Sequence, residues 1–484
     1  MMALVGMSVG TGNIWRFPRV MSQNGGGTFL IPWIIFLFLW SIPLLTVEFS
    51  LGKKVRKGVV GCFHSLTDGK LTWMGGFVAF CTLGIMLYYS VVTGWCLYYM
   101  LSAFSGTILQ GDSRLLWESF SQSSSTPLLM HIIVIVLTAL VIIRGVESGI
   151  EKISRLLIPL LFIILIGLAF YARTLIGSNR GIEFMLTFDL VRLKDYKIWL
   201  EALTQSAWST GAGWGLTLTY ACYARHNDHP IQTPFITCLT NNFAEILASL
   251  VILPTLFTFF PFSEAIKLTG EGNTGLTFIA LPGLFRQMNF GWLISIAFFT
   301  ALFFAAFTSL IAMFELGTVF LKDLGIERKK GVILLGVLTA VLGAPSALNM
   351  NFFKNQDWVW GIGLLVSGFF FTVLIHHIDS EHFTKNFVGI RGRFSRQCLR
   401  LMIHAVIPLE FIALIAWWFH QAIQWDPKGW WHPFRTFSIG TCLFQWGILI
   451  LVLFLFNRRM SQRIQRSHLK DTMDRDFWAR PPEP

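Results

Sequence analysis

Two short stretches of this 484-residue chain carry the residues best suited to chemistry. The first holds Gly6, Gly10 and Gly12 with Asn13 and Arg16; the second holds Ser209, Thr210, Gly211, Gly213 and Gly215. Both interrupt apolar runs. Glycine lowers helix stability, and an unwound helix frees carbonyl oxygens, which together with small hydroxyls and amides are the ligands a hard cation takes. Where a half-helix restarts after such a break, its first amides favour an anion. Each polar residue also has a plain reading: a hydroxyl on a membrane helix bonds the carbonyl one turn back, and an Asn ties neighbouring helices. Covalent chemistry is not indicated, so the chain does not read as an enzyme. Its His residues lack metal-ligand spacing, and no phosphate-binding loop occurs.

The elements that must position these groups follow from composition. Apolar residues make up 54% of the chain and charged residues only 13%, with a mean hydropathy of +0.61. Soluble domains carry about 25% charge, so a polytopic membrane protein is the natural class. Apolar stretches long enough to cross a bilayer occur near 27–51, 73–104, 128–143, 150–172, 200–223, 235–262, 291–321, 331–348, 357–376, 401–423 and 436–456. Residues 1–20 begin apolar and turn Gly-rich, without the pattern of a signal peptide, and read as part of a twelfth span. Interruptions five spans apart, in the first and sixth, point to a midplane site between two five-span repeats.

The net charge of +12 reports topology. With a cytoplasmic N-terminus, most of the 38 Lys and Arg fall on the cytoplasmic side, as the positive-inside rule requires, and nucleic acid is not an expected partner. None of the seven Cys falls in an outside loop, so no disulfide framework is expected. No Asn-x-Ser/Thr sequon occurs and the outside loops are short, which favours a bacterial inner membrane, multi-pass, with both termini cytoplasmic. Residues 262–287 are long and apolar enough to hold a short helix on the outer face. The basic, amphipathic tail after Asn457 reads as a solvated or lipid-surface helix.

Three ordered motifs then stand out: Gly6-Met-Ser-Val-Gly-Thr-Gly-Asn-Ile-Trp-Arg-Phe-Pro18, Asn24-Gly-Gly-Gly-Thr-Phe-Leu-Ile-Pro32 and Ile42-Pro-Leu-Leu-Thr-Val-Glu48-Phe-Ser-Leu-Gly52. With Tyr88-Tyr89, the segments 208–220, 241–245 and 305–312, and Asp357, the sequence resembles the neurotransmitter:sodium symporter family, particularly its bacterial amino-acid transporters. The resemblance runs from Val5 to about Ile378 and is loose over the last two spans. It implies an all-α protein of twelve transmembrane helices. A first five-helix repeat would occupy 1–174 and an inverted second repeat 198–378, with helices 1 and 6 discontinuous. Two further helices would occupy 399–457 and a basic cytoplasmic tail 458–484.

The resemblance also implies the sites. One sodium ion would take the Ser8 carbonyl, the side chains of Asn13 and Asn241, the hydroxyl and carbonyl of Ser209 and the solute carboxylate. A second would take the carbonyls of Gly6, Val9 and Ala305 and the hydroxyls of Thr308 and Ser309. The carboxylate would lie on the amides near Ser8, Gly10, Thr11 and Gly12, with the Tyr89 phenol beside it. Amine-carrying relatives have Asp where this chain has Gly10. The solute side chain would meet Ile85, Trp208, Ser209, Gly211, Trp214, Ser309 and Met313, and two indoles with a Met argue for an apolar amino acid. Arg16 and Asp357 would form an outer gate above Tyr89 and Trp208. Glu245 stands where chloride-dependent relatives carry a neutral residue, so chloride is not expected. Gly149 and Pro159 would bracket a stretch of helix 5 that unwinds, whereas Glu48 reads as a structural carboxylate bonded to backbone or a polar neighbour.

Together these imply a sodium-coupled symporter that imports a neutral, apolar amino acid by alternating access, embedded in lipid and able to form a homodimer. The alternative is a non-transporting amino-acid sensor or a transport-defective truncated homologue. Only five residues precede Gly6, where the inner half of helix 1 should need about ten to cross half of the ~30 Å hydrocarbon core. A start codon assigned too far downstream is the expected explanation.

Overall fold

Apolar runs of about 20 residues have one favourable form in hydrocarbon, a helix, because it satisfies each backbone group within the segment. The computed structural model describes residues 1–478, with side chains through residue 467, and no strand occurs among them. The first crossing is split into α1 (Met2–Ser8) and α2 (Phe17–Gln23), joined through the wide turn Gly12–Arg16. Then come α3 (Gly27–Val55), α4 (Thr72–Phe104), α5 (Thr126–Ile143) and α6 (Val146–Thr174). The sixth crossing is again split, into α7 (Tyr196–Ser209) and α8 (Leu216–Ala221). The series ends with α9 (Gln232–Phe259), α10 (Gly291–Asp323), α11 (Arg328–Leu348), α12 (Met350–His377), α13 (Arg393–Trp425) and α14 (Ile439–Trp478).

Ten of these helices are long and apolar enough to cross a membrane unbroken. With the two split crossings they form an all-α polytopic membrane protein consistent with twelve spans. The long helices α4 and α10 lie against each other at the centre, and α1 packs on α10. Close approach depends on glycine notches. A Cβ at Gly84 of α4 would stand 2.6 Å from the Trp360 ring of α12, and one at Gly94 would stand 3.0 Å from the backbone of α5. Exposed Leu, Ile and Phe line α5, α6, α11, α13 and α14, the outer ring that faces lipid. The outer-face helix expected in 262–287 appears in pieces, among them Phe262–Gly270 and Leu281–Phe285.

The end of the chain corrects the sequence expectation. The basic segment after Asn457 is no separate surface helix: it continues α14, a 40-residue helix that at about 1.5 Å per residue is roughly twice as long as the hydrocarbon is thick. Asn457 accepts from the Trp73 amide at 2.8 Å and donates to the Gly69 carbonyl at 3.0 Å, at the start of α4. One turn on, the Ser461 hydroxyl meets His64 Nδ1 at 3.1 Å, and Ile464 is fully buried. Residues 457, 461 and 464 therefore form one helix face seated on the short helix Val59–Leu66 and its loop. Burial and the neighbouring Lys57 ammonium hold the His64 imidazole below its usual range, so it is neutral at pH 7. Amphipathic pattern alone does not distinguish lipid from protein as the partner of that face. Residues 479–484 lie outside the described part of the chain.

Replacing Ile464 by Asp should lower thermal stability in detergent, by on the order of 3 kcal/mol for an unpaired charge in a closed seam. An unchanged melting temperature would mean that α14 does not dock there.

Candidate functional site

The two helix breaks face each other, and each is stabilised by side chains in place of the missing helical bonds. α1 ends because Val9 is extended, and the Gly10 amide donates to Asn13 Oδ1 at 2.8 Å. The Thr11 amide and hydroxyl both approach the Tyr89 phenol oxygen at 3.2 Å. Between α7 and α8, Gly211, Gly213 and Gly215 have φ of 73°, 87° and 78°, a region open to glycine and strained for other residues. A Cβ at Gly213 would also stand 2.7 Å from the Cα of Gly368. Glu48, fully buried on α3, accepts from the Gly213 amide at 2.6 Å and from the Leu218 amide at 3.3 Å. This is the structural role expected of it.

Around the breaks the oxygens converge in two groups. The amide ends of Asn13 and Asn241 meet at 2.8 Å, and Asn13 Nδ2 reaches the Ser209 hydroxyl at 3.5 Å. With its amide turned to face acceptors, Asn241 Nδ2 is 2.9 Å from the Ser8 carbonyl and 3.2 Å from the Ser209 carbonyl. Its Oδ1 then accepts from the Ser209 hydroxyl at 2.7 Å. These groups come from α1, its break, α7 and α9. In the second group, the Ser309 hydroxyl approaches the carbonyls of Gly6 and Met7 at 3.4 and 3.5 Å. Thr308 bonds the Phe304 carbonyl at 2.9 Å and the Ala305 carbonyl at 3.3 Å. A Cβ at Gly6 would lie 3.2 Å from that of Thr308, so α1 and α10 touch at this point.

A cavity of about 470 Å³ opens beside the first group, and every residue expected to meet the solute lines it, from Ser8 and Gly10 to Trp214 and Met313. It reaches outward past Arg16 and Asp357 to Lys354, Trp425 and Phe437. Space is open around Gly12, and a Cβ at Gly211 would find only the Met7 methyl at 3.9 Å. A Cβ at Gly10 would press on the Ser309 hydroxyl at 3.0 Å and the Tyr89 hydroxyl at 3.1 Å. The Arg16 guanidinium lies over the Trp208 ring, 4.5 Å from its centroid, and makes no ion pair with Asp357 within 4.0 Å among the described residues. The stretch from Gly149 to Pro159 is helical throughout, with a wide turn at Val146–Glu151 and Pro159 inside α6.

Comparison with known proteins identifies this arrangement. The description "Sodium:neurotransmitter symporter family" fits residues 1–127 and 117–462. The chain belongs to that family. It is 32% identical over 354 residues to the uncharacterized sodium-dependent transporter YhdH of Bacillus subtilis, covering 72% of this chain and 76% of that one. It is 32% identical over 359 residues to an uncharacterized sodium-dependent transporter of Methanocaldococcus jannaschii, covering 70% and 72%. The crystal structure of MhsT in complex with L-phenylalanine superposes with a TM-score of 0.76 at 27% identity, over 86% of this chain and 96% of that one.

Sequence reasoning missed several polar contacts. Glu245 accepts from Gln205 at 2.6 Å, four residues before Ser209 on α7. At the opposite end from Arg16, buried Glu315 takes both terminal nitrogens of Arg328 at 2.8 and 2.6 Å and the Tyr223 hydroxyl at 3.0 Å, tying α10 to α11 and the end of α8. Asp323 accepts from the amides of Gly58 and Gly61 at 3.3 and 3.0 Å. A carboxylate within an apolar run, as at Glu315, was the available signal.

Glu48→Ala would leave two buried amides unpaired at about 1–3 kcal/mol each. The variant should melt well below wild type in detergent, with Glu48→Gln milder; equal melting of all three would show that the carboxylate does not hold the α7–α8 break.

Proposed function

We propose that the chain is a sodium-coupled secondary active symporter that imports a neutral, apolar amino acid by alternating access. The observation that carries this reading is the meeting of Ser8, Asn13, Ser209 and Asn241 beside the Thr11 amide and the Tyr89 phenol. Four hard-oxygen groups from separate helices, next to an anion-favouring helix start, suit a cation and a carboxylate that share one shell. The first sodium takes the Ser8 carbonyl, the Asn13 and Asn241 amides, the hydroxyl and carbonyl of Ser209, and one solute oxygen. The second takes Gly6, Val9 and Ala305 carbonyls with Thr308 and Ser309. Because the solute carboxylate completes the first shell, ion and amino acid bind cooperatively.

The solute side chain lies against Ile85, Trp208, Trp214 and Met313, an apolar lining supported by the phenylalanine in MhsT. Gly10 places no acidic side chain in the cavity, which favours a solute that brings its own carboxylate. Glu245, buried and hydrogen-bonded to Gln205, supplies the fixed negative charge that chloride would otherwise provide. Arg16 and Asp357 close the outer end above Tyr89 and Trp208. The Gly149–Pro159 stretch opens a water path to the second ion from the cytoplasm. Two positive charges moving with a zwitterion gain about 4.6 kcal/mol per 100 mV, from about 2.3 per charge. That corresponds to more than a thousandfold accumulation. A bacterial cytoplasmic membrane with both termini inside fits this direction of transport.

Uptake of labelled amino acids into proteoliposomes, with sodium, chloride and voltage varied independently, tests the reading. Uptake should require sodium, ignore chloride and rise with an inside-negative potential. Asn13→Ala and Asn241→Ala should each raise the sodium concentration needed at least tenfold, and Gly10→Ala should abolish binding. Undiminished binding in potassium-only buffer would defeat the proposal, and sodium-dependent binding without uptake would favour a sensor.

A further inference from the structure

Glu201 lies on α7 on the same face as Gln205 and Trp208, at spacings of four and three residues. Facing it, Arg16 and Arg19 stand three residues apart on the wide turn and α2, which pack on α7. Arg16 is only 9% exposed, its guanidinium rests on the Trp208 ring, and its Nη1 has no hydrogen-bond acceptor. Neither arginine makes an ion pair within 4.0 Å among the described residues; Arg19 Nε bonds Asn273 at 2.9 Å. Glu201, Asp357 and Glu245 all lie within electrostatic reach of Arg16, and Glu201 is also within reach of Arg19. The buried cation thus has carboxylates within reach on different helices, among them Glu201 on α7 and Asp357 on α12, which lines the same cavity as Arg16.

On the reading that Arg16 and Asp357 gate the cavity, we propose that Glu201 is a positioning residue that competes with Asp357 for Arg16. With Glu201 the guanidinium stays over Trp208, beside the half-helix that carries both, and the cavity stays open. With Asp357 it bridges to α12 and covers the solute. The aromatic face lets Arg16 rest between them, because the ring quadrupole attracts a cation without fixing it to either acid. Arg19 shares Glu201 and so weakens its hold on Arg16.

The test measures dissociation of labelled amino acid from the full chain in sodium. Glu201→Gln should release solute at least threefold more slowly than wild type, Asp357→Asn at least threefold faster, and Glu201→Asp should restore the wild-type rate. Arg19→Gln, which leaves Glu201 to Arg16 alone, should speed release and serves if Glu201→Gln does not fold. A second reading uses Lys354→Cys in the outer cavity: a thiol reagent should label it more slowly when Glu201→Gln is added. Equal or faster release from Glu201→Gln, or slower release from Arg19→Gln, overturns the competition while leaving the symporter reading intact. Absence of sodium-dependent binding in the wild-type chain would instead defeat the symporter reading.

Discussion

Hydrocarbon offers no hydrogen bonds, so a helix can break inside a membrane only where other protein groups take over its backbone. The rest of this structure depends on that constraint being met twice. At the α7–α8 break a buried carboxylate, Glu48, takes the freed amides. At the α1–α2 break the Asn13 amide oxygen and the Tyr89 phenol do so. In both places side chains take the freed amides, and beside them the Ser8 and Ser209 carbonyls converge on Asn241. The oxygen-rich centre is therefore a by-product of how the breaks are stabilised.

Much of this was legible in the sequence because the signals are local. Apolar run length marked the spans, and glycine clusters with Asn13 and Ser209 marked the breaks. The residues assigned to the solute by family resemblance line a single cavity. What could not be read depends on register between helices distant in sequence. Gln205 against Glu245 and Tyr223 against Glu315 are pairs whose members look like ordinary polar residues until two helices are placed side by side. The tail shows the same limit: its face at 457, 461 and 464 has the right period, but its partner lies nearly 400 residues earlier.

The two ends of the molecule are held differently. At one end Glu315, Arg328 and Tyr223 make short, direct bonds, and Asp323 caps the helix that begins at Val59. At the other end Arg16 rests on an aromatic face instead of in an ion pair, while the pairs Arg192–Asp189 and Arg435–Asp426 lie in exposed loops. A direct buried pair is costly to break, whereas a cation on an indole can move with little loss. Cavities open at both ends, one of about 470 Å³ that reaches past Arg16 and Asp357 and one of about 1230 Å³ beside Tyr223 and Arg328.

Gly10 carries a consequence for any compound meant to block this protein. Two hydroxyls crowd the direction in which a side chain would leave that residue. A compound in the cavity meets those two hydroxyls at the Gly10 end, whereas toward Gly211 it finds open space. A side chain placed at Gly10 would have to displace the hydroxyls by a few tenths of an ångström, which couples that position to the rotamers of Ser309 and Tyr89.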